Sequence, residues 1–238
     1  MNQLKWDTTP VQAEGKGGVV QYQPSASIKE YPEIDLFGYM KTSKKGEEGS
    51  KGGASTRNAV ARLSNAIALE PYSADMDFLT NMGLAKRNNL ENNISQSEIH
   101  KSYFSYSLTV DLDEVGVDKN ENINLSAAEK FERVTALLKV IKTLYRDIKG
   151  RRENLSPVFA VGGVYDVKSP YFENRLKVNK NKLNVEILKN NIELAGENTL
   201  VGYLSGIFDN DSEISELKSM KISEFFNRLT SEVKEYYE

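Results

Sequence analysis

Few side chains in this sequence could perform acid–base or metal chemistry. His100 is the single histidine and cysteine is absent, which excludes mechanisms that need two imidazoles and those that need a thiolate. A lone histidine in a strand is more often a hydrogen-bonded structural residue than a catalytic base. Asp75 and Asp77 could hold a metal ion for a nuclease, but two carboxylates in a loop do not define such a site. We therefore expect no catalytic residue.

The sequence also gives no clear sign of a metal site or a nucleotide site. Asp118, Asn120, Asn122 and Glu129 stand at calcium-loop positions 1, 3, 5 and 12, yet Ile123 occupies the position where the sharp turn needs glycine. The motifs G-x-x-x-x-G-K-[ST] and G-x-G-x-x-G are absent, so the usual phosphate-cradling loops are missing. We expect no metal ion and no cofactor.

The clearest cluster of fixed positive charge follows the clearest helix. Ser126 and Glu129 form a predicted capping box that starts this helix, and Gly150 is its expected C-terminal stop. Between them, apolar residues recur at helical steps: Phe131, Val134, Leu137, Leu138, Ile141, Leu144, Tyr145 and Ile148. Off this stripe lies a predicted basic ridge, which consists of Lys139, Lys142, Arg146, Lys149, Arg151 and Arg152. The ridge is either an anion-binding surface or a solvated helix face with cations at the negative end of the dipole.

A second group of cations lies in residues 41–56, KTSKKGEEGSKGGAST, which contain no large apolar side chain. Such a segment cannot bury enough surface to offset its ordering entropy, so we predict a flexible Gly/Lys-rich insertion within a domain. Lys41, Lys44, Lys45 and Lys51 could contact phosphates there, or could be a solvated charge cluster.

The rest of the chain alternates between helix and strand patterns. We predict a short helix at residues 57–69, a loop or protruding hairpin at 86–97, and helices from Val185 to near Gly196 and over 222–236. Strands are predicted at 18–22, 99–112, 158–167 and 200–208, with a bulge or close backbone approach at glycines 162 and 163. This order indicates an α/β or α+β sandwich of helices on a sheet.

The predicted strand 99–112 brings a cation and an aromatic ring together on its polar side. Lys101 and Tyr103 form the combination that holds a phosphate and stacks a base. Tyr103 by itself equally suits a cross-strand aromatic pair.

Composition sets the outer limits on function. The chain has 238 residues with 39% hydrophobic content, enough for a substantial core. Its net charge is −3, so a nucleic-acid partner would have to be met by a local patch and not by the overall field. There is no apolar leader segment and no run of about 18 apolar residues, and we therefore expect a cytoplasmic protein without a membrane partner.

Seven blocks, in order along the chain, resemble the DevR-type branch of the Cas-seven superfamily, the CRISPR-associated backbone subunits of type I-B Cascade complexes. They are LFGYM at 36–40, ARLSNAIALEP at 61–71, DFLTN at 77–81, IHKSYFSYSLTVDL at 99–112, YRDIKGRRENLSPVFAVGGVYD at 145–166, SPYFENRLKV at 169–178 and ENTLVGYLSGIF at 197–208. The blocks are distributed in order over residues 36–208, so the match extends along most of the chain after Glu33, which makes the resemblance more specific than any single motif.

The resemblance implies an α+β fold in one domain, residues 1–238, with a modified RNA-recognition-motif (ferredoxin-like) palm and inserted finger and thumb elements. Residues 77–99 would be the thumb and residues 41–56 a finger loop. The subunit would not be an enzyme; it would oligomerise with copies of itself along crRNA, beside other Cascade subunits, and present the guide to target DNA. The RNA contacts would fall to Lys41, Lys44, Lys45, Arg57, Arg62, Lys101, Tyr103, Arg146, Arg151 and Arg152.

One departure and two alternatives accompany this interpretation. Family members usually begin with an apolar strand and a basic segment, and neither is visible before Gly18, so we expect a truncated or alternatively started form with an incomplete palm. A type III-like backbone ribonuclease would need a thumb carboxylate, for which Asp75 or Asp77 is the candidate. A generic RNA-binding or adaptor module would leave the basic ridge as solvated surface.

Overall fold

The computed structural model describes residues 11–12, 21–22, 25–42, 54–88, 91 and 94–238. Within them the helices are α1 (Pro32–Phe37), α2 (Met82–Arg87), α3 (Ala127–Lys142), α4 (Val185–Ala195), α5 (Asp211–Ser215) and α6 (Ile222–Tyr237). The first strands are β1 (Val11–Gln12), β2 (Gln21–Tyr22), β3 (Tyr39–Thr42), β4 (Ala54–Arg57), β5 (Ala61–Leu63), β6 (Ile67–Ala68), β7 (Ala74–Thr80), β8 (Ile94–His100), β9 (Phe104–Ser105) and β10 (Leu108–Val110). The later strands are β11 (Val117–Asp118), β12 (Ile123–Asn124), β13 (Tyr145–Ile148), β14 (Arg151–Asn154), β15 (Phe159–Gly162), β16 (Val178–Asn179), β17 (Lys182–Leu183), β18 (Leu200–Tyr203) and β19 (Met220–Lys221). Helices combined with small, mostly antiparallel sheets make the fold α+β.

The largest hydrophobic core lies between the two long helices and a three-stranded sheet. In that sheet β18 is central, with β15 antiparallel on one side and β19 parallel on the other. Helix α6 packs on both α3 and β18, and the apolar stripes of the two helices therefore share one core. Its buried side chains are Leu36, Val60, Ala61, Val115, Val134, Leu137, Leu138, Leu200, Phe225, Phe226 and Val233.

Two smaller cores lie beside the first. One is built from β17, α4 and α5, with Leu183, Leu188 and Ile214 buried at its centre. The other gathers Ala26, Ile28, Ile34 and Tyr39 around helix α1.

Helix α3 begins as predicted but ends earlier. The capping box is formed: the Ser126 hydroxyl accepts from the Glu129 N–H, and the Glu129 carboxylate accepts from the Ser126 N–H. The prediction that the helix continues to Gly150 is wrong, because it stops at Lys142 and residues 145–154 form the antiparallel hairpin β13–β14. A glycine with positive φ fits a helix end and a hairpin turn equally well, so Gly150 did not distinguish the two.

The predicted helix at residues 57–69 is also wrong. These residues form the short strands β5 and β6, which pair with β10 and β9. The predicted strand 99–112 is correspondingly broken into pieces, β9 and β10, that follow the end of β8 at His100. Tertiary strand pairing outweighs the helical spacing of a short apolar segment.

Several other elements are confirmed. Helices α4 and α6 and strands β15 and β18 lie where the periodicity placed them. The expected close backbone approach is real at Gly163, where an added Cβ would lie 2.0 Å from the Asn198 carbonyl oxygen. Among the described residues, no helix is both long and apolar enough to cross a membrane.

The predicted insertion at residues 41–56 is structured at both ends. Strands β3 and β4 pair antiparallel, with Tyr39 opposite Arg57 and Thr42 opposite Ala54, so residues 41–42 and 54–56 are strand and not flexible chain. Residues 43–53 lie outside the described part of the chain. Most of the segment before Gly18 lies outside it as well, apart from β1, which pairs with β2.

Candidate nucleic-acid interface

Three of the predicted contact residues, Arg146, Arg151 and Arg152, lie on the hairpin β13–β14, here called the basic hairpin. Tyr145 lies opposite Asn154 and Ile148 opposite Arg151, and Lys149-Gly150 makes the two-residue turn. Both turn residues have positive φ, 48° and 76°, which defines the type I′ geometry that matches strand twist. The cations therefore lie on an exposed two-stranded ribbon and not on a helix face.

The two faces of the basic hairpin are partly neutralised by its own acids. On one face Arg146 pairs with Glu153, Nε to Oε2 at 2.6 Å. On the other, Arg152 donates two hydrogen bonds to Asp147, at 2.8 and 2.9 Å, and stacks over Tyr145 with its guanidinium carbon 4.6 Å from the ring centre. A phosphate has to compete with these carboxylates for either guanidinium.

Arg151 and Lys149 differ from the paired arginines. Arg151 is exposed and has no ion pair within the described part of the chain. The Lys149 ammonium donates to the Ser97 hydroxyl at 2.5 Å, so the turn of the basic hairpin touches strand β8. The structure thus leaves Arg151 as the freest cation of the predicted ridge.

The ion pair between Asp147 and Arg152 shifts the pKa of both side chains. Hydrogen bonds from Arg152 hold the pKa of the Asp147 carboxyl below its usual value, and the same carboxylate raises the pKa of the Arg152 guanidinium. Both side chains are exposed, so salt screens the interaction. The pair therefore adds little to the stability of the fold. Its main effect is that the Asp147 carboxylate competes with a bound anion for the Arg152 guanidinium.

The remaining two cations of the predicted ridge lie elsewhere. Lys139 and Lys142 line a half-open groove of about 260 Å³ between α3 and α6, with Leu138 and Phe226 in its lining. The Lys142 ammonium donates to the Asn227 amide oxygen at 3.4 Å. The predicted continuous ridge is therefore wrong, because the helix ends at Lys142 and the chain turns into the hairpin.

Arg57, a predicted RNA contact, is buried. Its side chain is 8% exposed, and its Nη2 lies 2.7 Å from the Asp35 carboxylate. Three other donors of the guanidinium reach the backbone carbonyls of Asp35, Glu114 and Val117. Four of the five guanidinium N–H donors are thus used inside the protein, and the side chain is not presented to solvent in this conformation. The assignment of Arg57 as an RNA contact stays a prediction that would require these bonds to be exchanged.

Lys41 is buried as well. Its ammonium pairs with Glu121 and lies 4.1 Å from the centre of the Tyr39 ring, and the residue is 5% exposed. Because Lys41 belongs to β3 and Glu121 precedes β12, this ion pair links the two segments. Lys44 and Lys45 lie outside the described residues.

Arg62 and Lys101 keep accessible charge. Arg62 Nη1 is 2.7 Å from Asp111 Oδ2, yet the arginine side chain is 53% exposed while the aspartate is nearly buried. Lys101 is exposed and makes no ion pair with any described residue. Two expected contacts therefore remain available to solvent.

Tyr103 is a packing residue in the structure. Its ring lies 5.5 Å from the Phe208 ring, beside the second core, and its backbone N–H donates to Glu70 at 3.1 Å. Tyr103 does pack against another aromatic ring, but neither Tyr103 nor Phe208 lies in a strand, so the predicted cross-strand pair is not formed.

The region of the expected thumb is a long hairpin. Strands β7 and β8 pair over their whole length, from Ala74 opposite His100 to Thr80 opposite Ile94. One face of this hairpin carries large apolar side chains in the open: Met76 is 50%, Phe78 63% and Ile94 70% exposed. This fits the protruding hairpin that the polar sequence indicated, whereas its role as a thumb stays a prediction.

The candidate carboxylates lie on the opposite face of the long hairpin. Asp75 pairs with Ile99 and Asp77 with Ser97, and alternation puts them on one exposed face. His100 Nδ1 is 2.6 Å from the Ser73 carbonyl, and its ring stacks on Tyr72. The described residues include no group of three or more His, Asp or Glu side chains placed to hold a metal ion.

One set of cations was missed in the sequence. Residues 174–184, NRLKVNKNKLN, contain four cations and no acid, and this local charge imbalance was the available signal. In the structure Lys177, Lys180 and Lys182 lie in or next to the hairpin β16–β17 and Arg175 precedes it, and all four side chains are exposed.

The described residues form an α+β fold that presents cations on exposed hairpins. A family model described as "CRISPR-associated negative auto-regulator DevR/Csa2" matches residues 7–186, well over half of the chain. The chain therefore belongs to the DevR/Csa2 family of CRISPR-associated proteins. No curated protein matches the chain.

Proposed function

We propose that this chain is a non-catalytic, guide-RNA-binding backbone subunit of a type I-B CRISPR interference complex. The observation that carries the proposal is membership of the DevR/Csa2 family over residues 7–186. In this role the subunit oligomerises along crRNA through an RNA-recognition-like palm, contacts other Cascade subunits and presents the guide for pairing with target DNA.

The surface chemistry supports a contact that ignores base sequence. Arg151, Arg62 and Lys101 are exposed cations in different parts of the chain. A subunit that must accept any guide should contact the phosphate backbone and leave the bases free for pairing. Guanidinium and ammonium groups on exposed ribbons meet that requirement.

Purification with the guide tests the proposal directly. The chain is co-expressed with its sister subunits and a CRISPR array, and the complex is examined by absorbance ratio, bound RNA length and native mass spectrometry. We expect several copies of the chain on one RNA of defined length. If the chain remains an RNA-free monomer at low ionic strength with guide and sister subunits present, the proposal is wrong.

The basic hairpin gives a test at residue level. Arg151→Ala combined with Arg152→Ala should flatten the slope of log affinity against log salt by up to roughly 1.4, at about 0.7 for each lost phosphate contact on a single strand. The fold should persist, because both side chains are exposed. An unchanged slope would place the basic hairpin outside the RNA-binding surface.

The long hairpin tests the thumb assignment and the ribonuclease alternative. Met76→Ser with Phe78→Ser should leave the monomer folded and reduce the number of subunits on the guide, because both side chains are exposed in the isolated chain. Incubation of the guide-loaded complex with complementary RNA and Mg²⁺ should give no cleavage. Cleavage that disappears in Asp75→Asn or Asp77→Asn would establish the ribonuclease instead.

A further inference from the structure

The hairpin β16–β17 carries more unpaired positive charge than the basic hairpin does. Val178 lies opposite Leu183 and Asn179 opposite Lys182, and Lys180-Asn181 forms the turn. We call residues 177–184 the lysine hairpin. No acid lies within residues 174–184, in a chain whose net charge is −3. On the basic hairpin, carboxylates compete with a bound anion for the cations. The lysine hairpin has no carboxylate on its own two strands that could do so.

The lysines of this hairpin lie on its outer face. Leu183 is 3% exposed and Val178 packs against the same core, so these two positions define the inner face. Alternation then puts Lys177 and Lys182 on the outer face, where they are diagonal neighbours across the two strands at about 7–8 Å between Cα atoms. All three lysines, including Lys180 at the turn, are exposed and without an ion pair in the described part of the chain.

The backbone that presents these lysines is held in place. The buried Asn210 side chain accepts from the Leu183 N–H at 3.1 Å and donates to the Leu183 carbonyl at 2.8 Å. The Asn181 amide donates to the Ile207 carbonyl at 3.2 Å and to the Asp209 carboxylate at 2.8 Å. A ligand that binds the outer face therefore has only lysine side chains to order, which lowers the entropic cost of binding.

The turn itself contains a residue that its backbone does not favour. Lys180 has φ of 48°, in the left-handed region where a type I′ turn normally takes Asn, Asp or Gly. The non-glycine residues with positive φ in the described chain are Asn122, Asn174, Asn181, Lys149, Lys180 and Lys218. Lys149 and Lys180 hold the same first position in their respective hairpin turns. Backbone strain kept at a lysine points to a use for its charge.

We propose that the lysine hairpin binds the phosphodiester backbone of a nucleic-acid strand, at a site separate from the basic hairpin. This inference rests on the proposed function. The outer positions offer ammonium groups and asparagine amides, both of which donate to phosphate oxygens, and no aromatic ring for stacking a base. The contact therefore does not depend on base sequence.

The test compares two triple variants of the full chain with equal charge change. One is K177Q/K180Q/K182Q; the control is K168Q/K189Q/K234Q, whose lysines are exposed but already paired with Asp113, Glu216 and Glu238. Affinity for a labelled single-stranded RNA and for a duplex DNA is measured by fluorescence anisotropy at several salt concentrations. For the hairpin variant we expect the slope of log affinity against log salt to fall by roughly 2 on RNA or roughly 2.7 on duplex DNA. The control should keep the wild-type slope.

The probe that loses affinity identifies the strand that the hairpin contacts. Lys180→Asn separates charge from structure, because asparagine suits the turn: we expect an equal or higher melting temperature together with a slope lower by about 0.7 to 0.9. If wild type binds but the hairpin variant and the control behave alike on both probes, the lysine-hairpin site is wrong and the proposed function stands. If the wild-type chain binds neither probe, the lysine-hairpin site and the proposed function are both wrong.

Discussion

Asp35 and Arg133 lie 98 positions apart and form a buried ion pair, with Arg133 Nη1 2.7 Å from Asp35 Oδ2. The same carboxylate pairs with Arg57 and accepts the Gly116 N–H with both oxygens at 3.0 Å. Asp35 is completely buried and both arginine side chains are less than a tenth exposed. One carboxylate thus connects helix α1, strand β4, the segment before β11 and helix α3.

Removing this carboxylate should be severely destabilising. Asp35→Asn leaves two buried guanidiniums without a countercharge, and we expect a loss of about 3–5 kcal/mol in the free energy of unfolding, measured by urea denaturation. Asp113→Asn is the matched control, because Asp113 pairs with Lys168 at the surface and should cost less than about 1 kcal/mol. Equal losses for the two variants would contradict the structural role of Asp35.

The acids of the basic hairpin should restrain RNA binding. Asp147→Asn with Glu153→Gln releases Arg152 and Arg146 from their ion pairs. We expect tighter binding of single-stranded RNA and a salt slope steeper by up to roughly 1.4, since two guanidiniums become free. Asp113→Asn with Glu216→Gln makes the same charge change at other ion pairs and should leave the slope near the wild-type value. A steeper slope in both double variants would mean that only net charge matters.

Gly163 should not tolerate a side chain. An added Cβ would lie 2.0 Å from the Asn198 carbonyl oxygen, so Gly163→Ala must displace backbone beside β15 or β18. We expect a loss of about 1–3 kcal/mol in thermal or urea unfolding. Gly83→Ala is the control, because the nearest atom to its Cβ is 3.9 Å away within helix α2, and alanine there should stabilise by about 0.5–1 kcal/mol.

Glu232 should make stability fall as pH rises. Burial raises the pKa of its carboxyl above the usual 4.5, and its Oε2 is buried without a hydrogen-bond partner among the described residues. The Val164 N–H and Arg228 oppose the shift, while Glu235 adds to it. The folded state therefore holds this proton more tightly than the unfolded chain does, and stability decreases from pH 4.5 up through the folded pKa.

Glu232→Gln removes that dependence. Its melting temperature relative to wild type should increase between pH 4 and neutral pH and then level off, because over that range the folded wild-type protein loses the proton that it binds more tightly than the unfolded chain does. Melting curves over this pH range measure the difference. A difference that is constant with pH would show that the carboxyl titrates alike in both states.

Local signals in the sequence predicted some elements and failed for others. The start of α3 could be predicted from Ser126 and Glu129, which are three residues apart: the side chain of each accepts a hydrogen bond from the backbone N–H of the other. Its end did not follow, because Tyr145 and Ile148 continue the helical spacing although Arg146 and Asp147 pair across a hairpin. An apolar spacing of three or four residues cannot show whether strand partners exist elsewhere in the chain.

The same limit applies to the candidate interface. Arg57 and Arg151 are both fixed cations in the sequence, but one is buried against Asp35 and the other is exposed. The residue type determines that a side chain is charged. Whether that charge is available to a phosphate depends on the carboxylates that the fold places beside it. The charge imbalance of residues 174–184 was readable from the sequence alone, and it marks cations that remain free in the structure.

By itself the sequence indicated the family, through ordered blocks along the chain, and it determined the amphipathic helices α4 and α6 and the absence of cysteine chemistry, which depend on residue types and short spacings. The alternation of elements left α/β and α+β both open; the resemblance implied α+β, which the structure confirms. The tertiary structure alone decided where α3 ends, which segments pair as strands, and which cations face solvent. Those outcomes depend on contacts between residues far apart in the chain, such as Asp35 with Arg133 and Arg62 with Asp111. Such contacts have no local signature.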